Sequence, residues 1–85
     1  MLIKIYTKTT CPYCVMAKDW LKENKYQYVE VLLDDDSERQ AFYDNHKIAS
    51  RTVPQVFNNN RLIGGYTELI MSELSVRFDM LQEDF

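Results

Sequence analysis

Apolar residues recur along this chain with two periods, one suited to strands and one to helices, and the switches between them mark out its elements. Leu2-Ile3-Lys4-Ile5-Tyr6 is rich in β-forming residues and reads as a strand. From Pro12 the spacing becomes helical. Cys14, Ala17 and Leu21 then share one face, and Asn24 supplies a stop. Tyr28-Val29-Glu30-Val31-Leu32-Leu33 reads as a second strand, closed by Asp34-Asp35-Asp36, whose charges resist burial. Strand, helix and strand make a βαβ unit, and a right-handed crossover sets its two strands parallel. Ser37 and Gln40 fit a capping box that opens a second helix through about His46, with the preceding aspartates favourable at its N-terminus. Val53-Pro54-Gln55-Val56-Phe57 and Arg61-Leu62-Ile63 predict two short antiparallel strands joined by a turn at Asn58-Asn59-Asn60, and Gly64-Gly65 breaks their pairing. Thr67 is placed to cap a last helix on which Ile70, Leu74, Phe78 and Leu81 recur, with Asp79 to Phe85 expected to fray. Trp20, Phe42, Ile70 and Phe78 are expected in the core or on partly covered surface.

Composition limits what such a chain can be. Its 85 residues predict a single domain over 1–85, and a 46% hydrophobic content is enough to fill one core. Thirteen acidic against ten basic residues give a net charge of −3, which argues against nucleic-acid binding through bulk charge. No apolar run approaches the ~20 residues that span a bilayer, and no internal repeat or low-complexity tract is present. Residues 1–20 show no charged-then-apolar leader, so the expected setting is the reducing cytoplasm.

In that setting the two cysteines carry the chemistry. Cys11-Pro12-Tyr13-Cys14 lies where the first strand gives way to the first helix, and residues three apart share a helical face, so the sulfurs can close a small disulfide ring. Pro12 suits the first helical position. Cys11 then meets the positive end of the helix dipole, and Cys14 lies one turn inside. This predicts Cys11 as nucleophile and Cys14 as resolving thiol. A fall of the Cys11 pKa from about 8.5 to about 5 raises its thiolate fraction roughly thirtyfold but lowers its intrinsic nucleophilicity roughly fortyfold. The gain lies in departure, because a stabilised thiolate leaves a mixed disulfide faster. Zinc is disfavoured, since it needs four ligands and the chain has two cysteines and the sequence-distant His46. His46 itself is expected at the surface or its boundary.

Three segments in this order, Ile5-Tyr6-Thr7-Lys8 before the dithiol, Arg51-Thr52-Val53-Pro54-Gln55-Val56-Phe57, and Ile63-Gly64-Gly65-Tyr66-Thr67-Glu68-Leu69, resemble the glutaredoxins. The resemblance covers nearly the whole chain. It implies an α/β thioredoxin-like fold, β-α-β-α-β-β-α, with a four-stranded mixed sheet flanked by three helices. It also implies a glutathione-disulfide oxidoreductase that reduces protein disulfides and protein–glutathione mixed disulfides, with ribonucleotide reductase as a client and the monomer as the working form. Glutathione is the expected reductant and no metal is needed.

Glutathione carries two carboxylates and one ammonium, so its site requires N–H or cationic donors and an acidic acceptor. Lys8 serves a carboxylate and the Cys11 thiolate together, and Tyr13 lays its ring on the tripeptide or simply shields the disulfide. Thr52-Val53-Pro54 resembles the family segment with a cis proline bond, where the Val53 peptide groups pair with extended glutathione as a small added strand. Gly65 allows close approach, and the N–H groups of Tyr66 and Thr67 hold a carboxylate. Thr67 and Glu68 complete the pocket, Glu68 being chosen for the ammonium although it equally suits a helix's first turn. Arg39 and Gln40 both remain candidates from the second helix, while Arg51 is assigned to bracing the loop before Val53. The rival function is an iron–sulfur carrier sharing a cluster between two chains through Cys11 and two glutathiones, from which Pro12 departs. A redoxin served by a flavoprotein reductase is a further alternative, against which Lys8, Thr67 and Glu68 stand.

Overall fold

The computed structural model describes residues 1–75. Its elements run β1 (Ile3–Thr7), α1 (Pro12–Glu23), β2 (Val29–Leu32), α2 (Asp36–His46), β3 (Gln55–Asn58), β4 (Arg61–Gly64) and α3 (Tyr66–Ile70). The strands form one mixed sheet in the order β2-β1-β3-β4. β1 pairs in parallel with β2, as the βαβ reading requires, and antiparallel with β3. β3 and β4 form the antiparallel hairpin, with a register shift between Val56 and Phe57. This is the thioredoxin-like architecture that the resemblance implied.

Period-two alternation divides the core between the faces of the sheet. Ile3, Ile5 and Thr7 of β1 are buried while Lys4 and Tyr6 are half-buried. On one face Ile3, Ile5 and Val56 pack with Ala17 and Leu21 of α1, Leu69 of α3, and Leu74. The other face is aromatic. Leu33, Phe42, Tyr43, Ile48 and Phe57 cluster there with Tyr6, whose ring stacks on Phe42 at 4.2 Å. The first cluster fixes α1 against the sheet. Truncating its fully buried Leu21 to alanine costs about 2–5 kcal/mol.

α1 keeps its expected ends, with Pro12 in the first turn and Asn24 as C-cap, the Asn24 side chain donating to the Trp20 carbonyl at 2.8 Å. α2 starts earlier than the capping box predicts. Asp35 is the N-cap, its carboxylate accepting from the Glu38 N–H at 3.0 Å, so Ser37 lies within the helix. An ionised carboxylate beside the helix's positive end is a stronger acceptor than a serine hydroxyl.

α3 also begins sooner than expected. Gly65, not Thr67, is its N-cap, and Glu68 reaches back to the Gly65 N–H at 2.9 Å. Gly64 stays in the β3–β4 pairing opposite Val56, with φ +127, and a Cβ there would fall 2.8 Å from the Glu68 Cβ. Only glycine suits that position. α3 caps at Met71, and a helical turn resumes over residues 73–75, so the core positions are Leu69 and Leu74 while Ile70 is only half-buried. Phe78, Leu81 and the expected fray from Asp79 to Phe85 lie outside the described residues.

Candidate functional site

The C-terminal end of β1 and the start of α1 bring the two cysteines together, Cys11 at the protein surface and Cys14 under it. Cys11 is the N-cap of α1, with extended backbone, and Cys11 and Cys14 form a disulfide across Cα atoms 5.2 Å apart. The Cys14 N–H points at the Cys11 Sγ at 3.2 Å. That sulfur occupies the place of the thiolate in the reduced protein, so the orphan N–H of a helix start already faces the future negative charge. Cys11 is half-buried, whereas Cys14 is 1% exposed. Only the first sulfur can meet a large partner. The Val53 carbonyl oxygen lies 3.7 Å from the Cys11 Sγ, a contact and not a hydrogen bond, since a disulfide sulfur carries no proton.

The loop between β1 and α1 is tied to the end of β2. Asp34 accepts from both the N–H and the hydroxyl of Thr9, each at 2.6 Å. These bonds, the hydroxyl first, hold the Asp34 carboxyl below the ordinary aspartate range. Beneath the loop, Thr7 donates to Glu30 at 2.6 Å and Lys18 meets the same carboxylate at 3.0 Å, joining β1, β2 and α1. Those contacts, led by Thr7, lower the Glu30 pKa. Lys8, between the two anchors, is exposed and makes no ion pair among the described residues.

Two hollows flank the dithiol and meet at Thr52 and Val53. The first, about 340 Å³, is lined by Lys8, Thr10, Cys11 and Pro12 from the first loop, Arg39, Gln40 and Tyr43 from α2, and Arg51, Thr52 and Val53. The second, about 290 Å³, is lined by Tyr13, Thr52, Val53 and Pro54 with Gly65, Tyr66, Thr67 and Glu68. The Val53–Pro54 peptide bond is cis. Neither the N–H nor the C=O of Val53 has a backbone or side-chain hydrogen-bond partner among the described residues, apart from the Cys11 sulfur contact. Tyr13 and Tyr66 approach across the second hollow, ring centroids 6.2 Å apart.

Every residue singled out from the sequence for this site lines one hollow or the other, except Cys14, which lies beneath them. Glu68 lines the second hollow with one carboxylate oxygen already engaged by the Gly65 N–H. Arg51, assigned in the sequence to bracing only, does brace: it donates to Gln40 at 2.7 Å and pairs with Asp44. It also lines the first hollow, as do Thr10 and Tyr43, which the sequence did not single out. The available signal was the four-residue spacing of Gln40 and Asp44, which puts two acceptors on one face of α2. Burial raises the pKa of Tyr43. His46 is exposed, its ring against Phe42 at 4.8 Å and Phe57 at 5.1 Å.

Known proteins resemble this chain in sequence and fold. A sequence model of the glutaredoxin family matches residues 3–63. Glutaredoxin 1 of Rickettsia typhi is 37% identical over 83 residues, covering 95% of this chain and 79% of that protein. Among solved structures, glutaredoxin 1 from Francisella tularensis, complexed with cacodylate, matches with a TM-score of 0.76 at 40% identity, over 87% of this chain and 93% of that one. A buckwheat glutaredoxin–glutathione complex matches with a TM-score of 0.75 at 27% identity, over 95% of this chain and 76% of that one.

Proposed function

The chain belongs to the glutaredoxin family, whose members are glutathione-dependent disulfide oxidoreductases, and on that premise we propose that it reduces protein disulfides and protein–glutathione mixed disulfides through Cys11 and Cys14. The Cys11 thiolate attacks one sulfur of the substrate disulfide, forming a mixed disulfide and expelling the other sulfur as a thiolate. Where the attached partner is a protein, Cys14 loses its proton and attacks the Cys11 sulfur. The partner leaves as a thiolate and the Cys11–Cys14 disulfide forms. Two glutathiones then restore the dithiol and leave as glutathione disulfide. Where the attached partner is glutathione, a second glutathione attacks its sulfur directly and frees Cys11.

The observation that carries the glutathione reading is Val53, an unpaired backbone donor and acceptor beside Cys11, between two hollows of different charge. An extended tripeptide laid along Val53 gains two main-chain hydrogen bonds, in the manner of an added strand. Its cysteine then faces Cys11. Its glycyl carboxylate reaches the hollow of Lys8, and its γ-glutamyl end reaches Tyr66, Thr67 and Glu68, where helix N–H groups donate to its carboxylate and Glu68 takes the ammonium. Residues 1–85 act as one domain and a cytoplasmic monomer in this reading. Ribonucleotide reductase as a client rests on the family resemblance alone.

A coupled assay tests it. With glutathione, glutathione reductase and a glutathionylated peptide, the protein should consume reductant at a rate proportional to its concentration. Turnover supported only by a flavoprotein thioredoxin reductase would sink the glutathione reading.

A further inference from the structure

Arg39 and Gln40 both line the hollow at Lys8, but their hydrogen bonds separate them. Arg39 is turned to the junction of β2 and α2, where it donates to the carbonyls of Leu33 at 2.9 Å and Asp34 at 3.1 Å and to Asp36 at 2.8 Å. Gln40 is instead held through its oxygen, which accepts from Arg51 Nη1 at 2.7 Å. A guanidinium has only donors, so the amide has a single sensible orientation. Its oxygen faces Arg51 and its NH₂ group, which has no partner among the described residues, is left for a ligand.

The hold on Gln40 is built from several contacts. Arg51 spans two acceptors one helical turn apart, with Nη2 on Asp44, and its guanidinium lies 5.9 Å from the Tyr43 ring centroid. Its backbone has φ +49, a left-handed conformation uncommon for an arginine. As an exposed ion pair the contact with Asp44 adds little stability. Its value is directional.

We propose that Arg51 is a positioning residue for carboxylate recognition: by fixing the Gln40 amide with its NH₂ group outward, it makes the first hollow present donors alone, the Lys8 ammonium and the Gln40 amide, to the glycyl carboxylate of glutathione. An inverted amide would set its oxygen against that carboxylate and leave donors facing donors at Arg51. The assignment rests on the glutathione reading, takes Gln40 as the α2 contact that the family resemblance already offers, and adds what aims it.

The test compares glutathione with its glycine-amide analogue, which has the same thiol and an uncharged end. Oxidised full-length protein is mixed with each thiol, quenched with an alkylating agent and weighed, so that the rate of Cys11–Cys14 reduction is read without a coupling enzyme. Each reduction takes two thiols, which leave as their disulfide. Wild type should favour the acid by about tenfold, the scale of one charge-assisted hydrogen bond. Gln40→Ala, Arg51→Ala and Arg51→Gly should each lower that preference by a similar factor of roughly three to five, and Gln40→Ala with Arg51→Ala together should lower it no further. Arg51→Gly removes the side chain while suiting the left-handed backbone, so equal loss in both Arg51 variants assigns the effect to the guanidinium. If the Arg51 variants do not fold, Gln40→Glu keeps the arginine paired while turning an oxygen to the hollow, and should depress the acid preference below that of Gln40→Ala.

A wild-type preference in the Arg51 variants, additive losses in the double variant, a Gln40→Glu preference at or above that of Gln40→Ala, or a wild type that treats acid and amide alike would each overturn the assignment. Wild type that glutathione does not reduce at all would remove the glutathione reading instead.

Discussion

The two hollows that meet at Val53 are similar in size and differ in origin. The first draws on three separated stretches, the loop before α1, the face of α2 and the Arg51 turn, which are held together by side-chain hydrogen bonds. The second takes one wall from the contiguous run Gly65 to Glu68, held by the helix's own cap. Charge separates them as well. Lys8, Arg39 and Arg51 line the first without an acid, and Glu68 lines the second without a cation. Two of those cations are already neutralised, Arg39 by Asp36 and Arg51 by Asp44, so Lys8 carries the unbalanced charge of its side. On the glutathione reading, a ligand with unlike ends would therefore be oriented before any chemistry occurs, with side chains orienting one end and backbone and a cap the other.

The two cysteines give the largest effects. Cys11→Ser should abolish turnover on every substrate, since the buried Cys14 cannot make the first attack. Cys14→Ser should retain activity on protein–glutathione mixed disulfides, lose most reduction of intramolecular protein disulfides, and accumulate glutathione on Cys11, as mass spectrometry of the trapped adduct would reveal. An active Cys11→Ser protein would overturn the assignment of nucleophile.

Next in size is the first hollow's unbalanced charge. Lys8→Ala should raise the KM for glutathione about tenfold and raise the Cys11 pKa, read from the ultraviolet absorbance of the thiolate. An unchanged titration would confine Lys8 to binding. In the second hollow, Glu68→Gln keeps an oxygen for the Gly65 N–H but loses the charge, and should raise that KM roughly threefold with little change in stability. Glu68→Ala should also lose about 1 kcal/mol in thermal unfolding, because the cap goes too. Equal destabilisation by both substitutions would contradict this separation of roles.

The smallest effect concerns the Asp34 tether. Its folded pKa is depressed, so its contribution is present above the unfolded value, about 3.9, and is lost as pH falls through the folded value. The melting temperature of Asp34→Ala should therefore approach that of wild type as pH is lowered from about 6 to about 3. A gap that stays constant would show the tether to be independent of ionisation.

Much of this was legible in the chain. Strand and helix periods identified every described element, and the Cys11–Cys14 spacing with Pro12 located the dithiol at a helix start, because those signals are local. Cap positions were harder to read. Asp35 outcompeted Ser37, and Gly65 with Glu68 displaced Thr67, because the winning acceptor depends on where the preceding strand delivers the chain. Leu69 and Ile70 differ in burial because successive helical residues point about 100° apart, and the break at Met71 separates them from the turn that carries buried Leu74. Arg51 escaped assignment to the site because its acceptors lie seven and eleven residues away on another element, a relation that only tertiary packing creates.

What Val53 holds out to a bound chain is a pair of unpartnered peptide groups, and peptide groups are the same in every extended peptide. A site built on them is indifferent to side chains along its middle, so selectivity passes to the interval between the donors at one end and the cap at the other. On the glutathione reading, the protein measures length. A peptide one residue longer would present the same main-chain hydrogen bonds to Val53 and overshoot one of the two anchors, so discrimination against ordinary cysteine-containing peptides would come from distance and not from any pocket for a side chain.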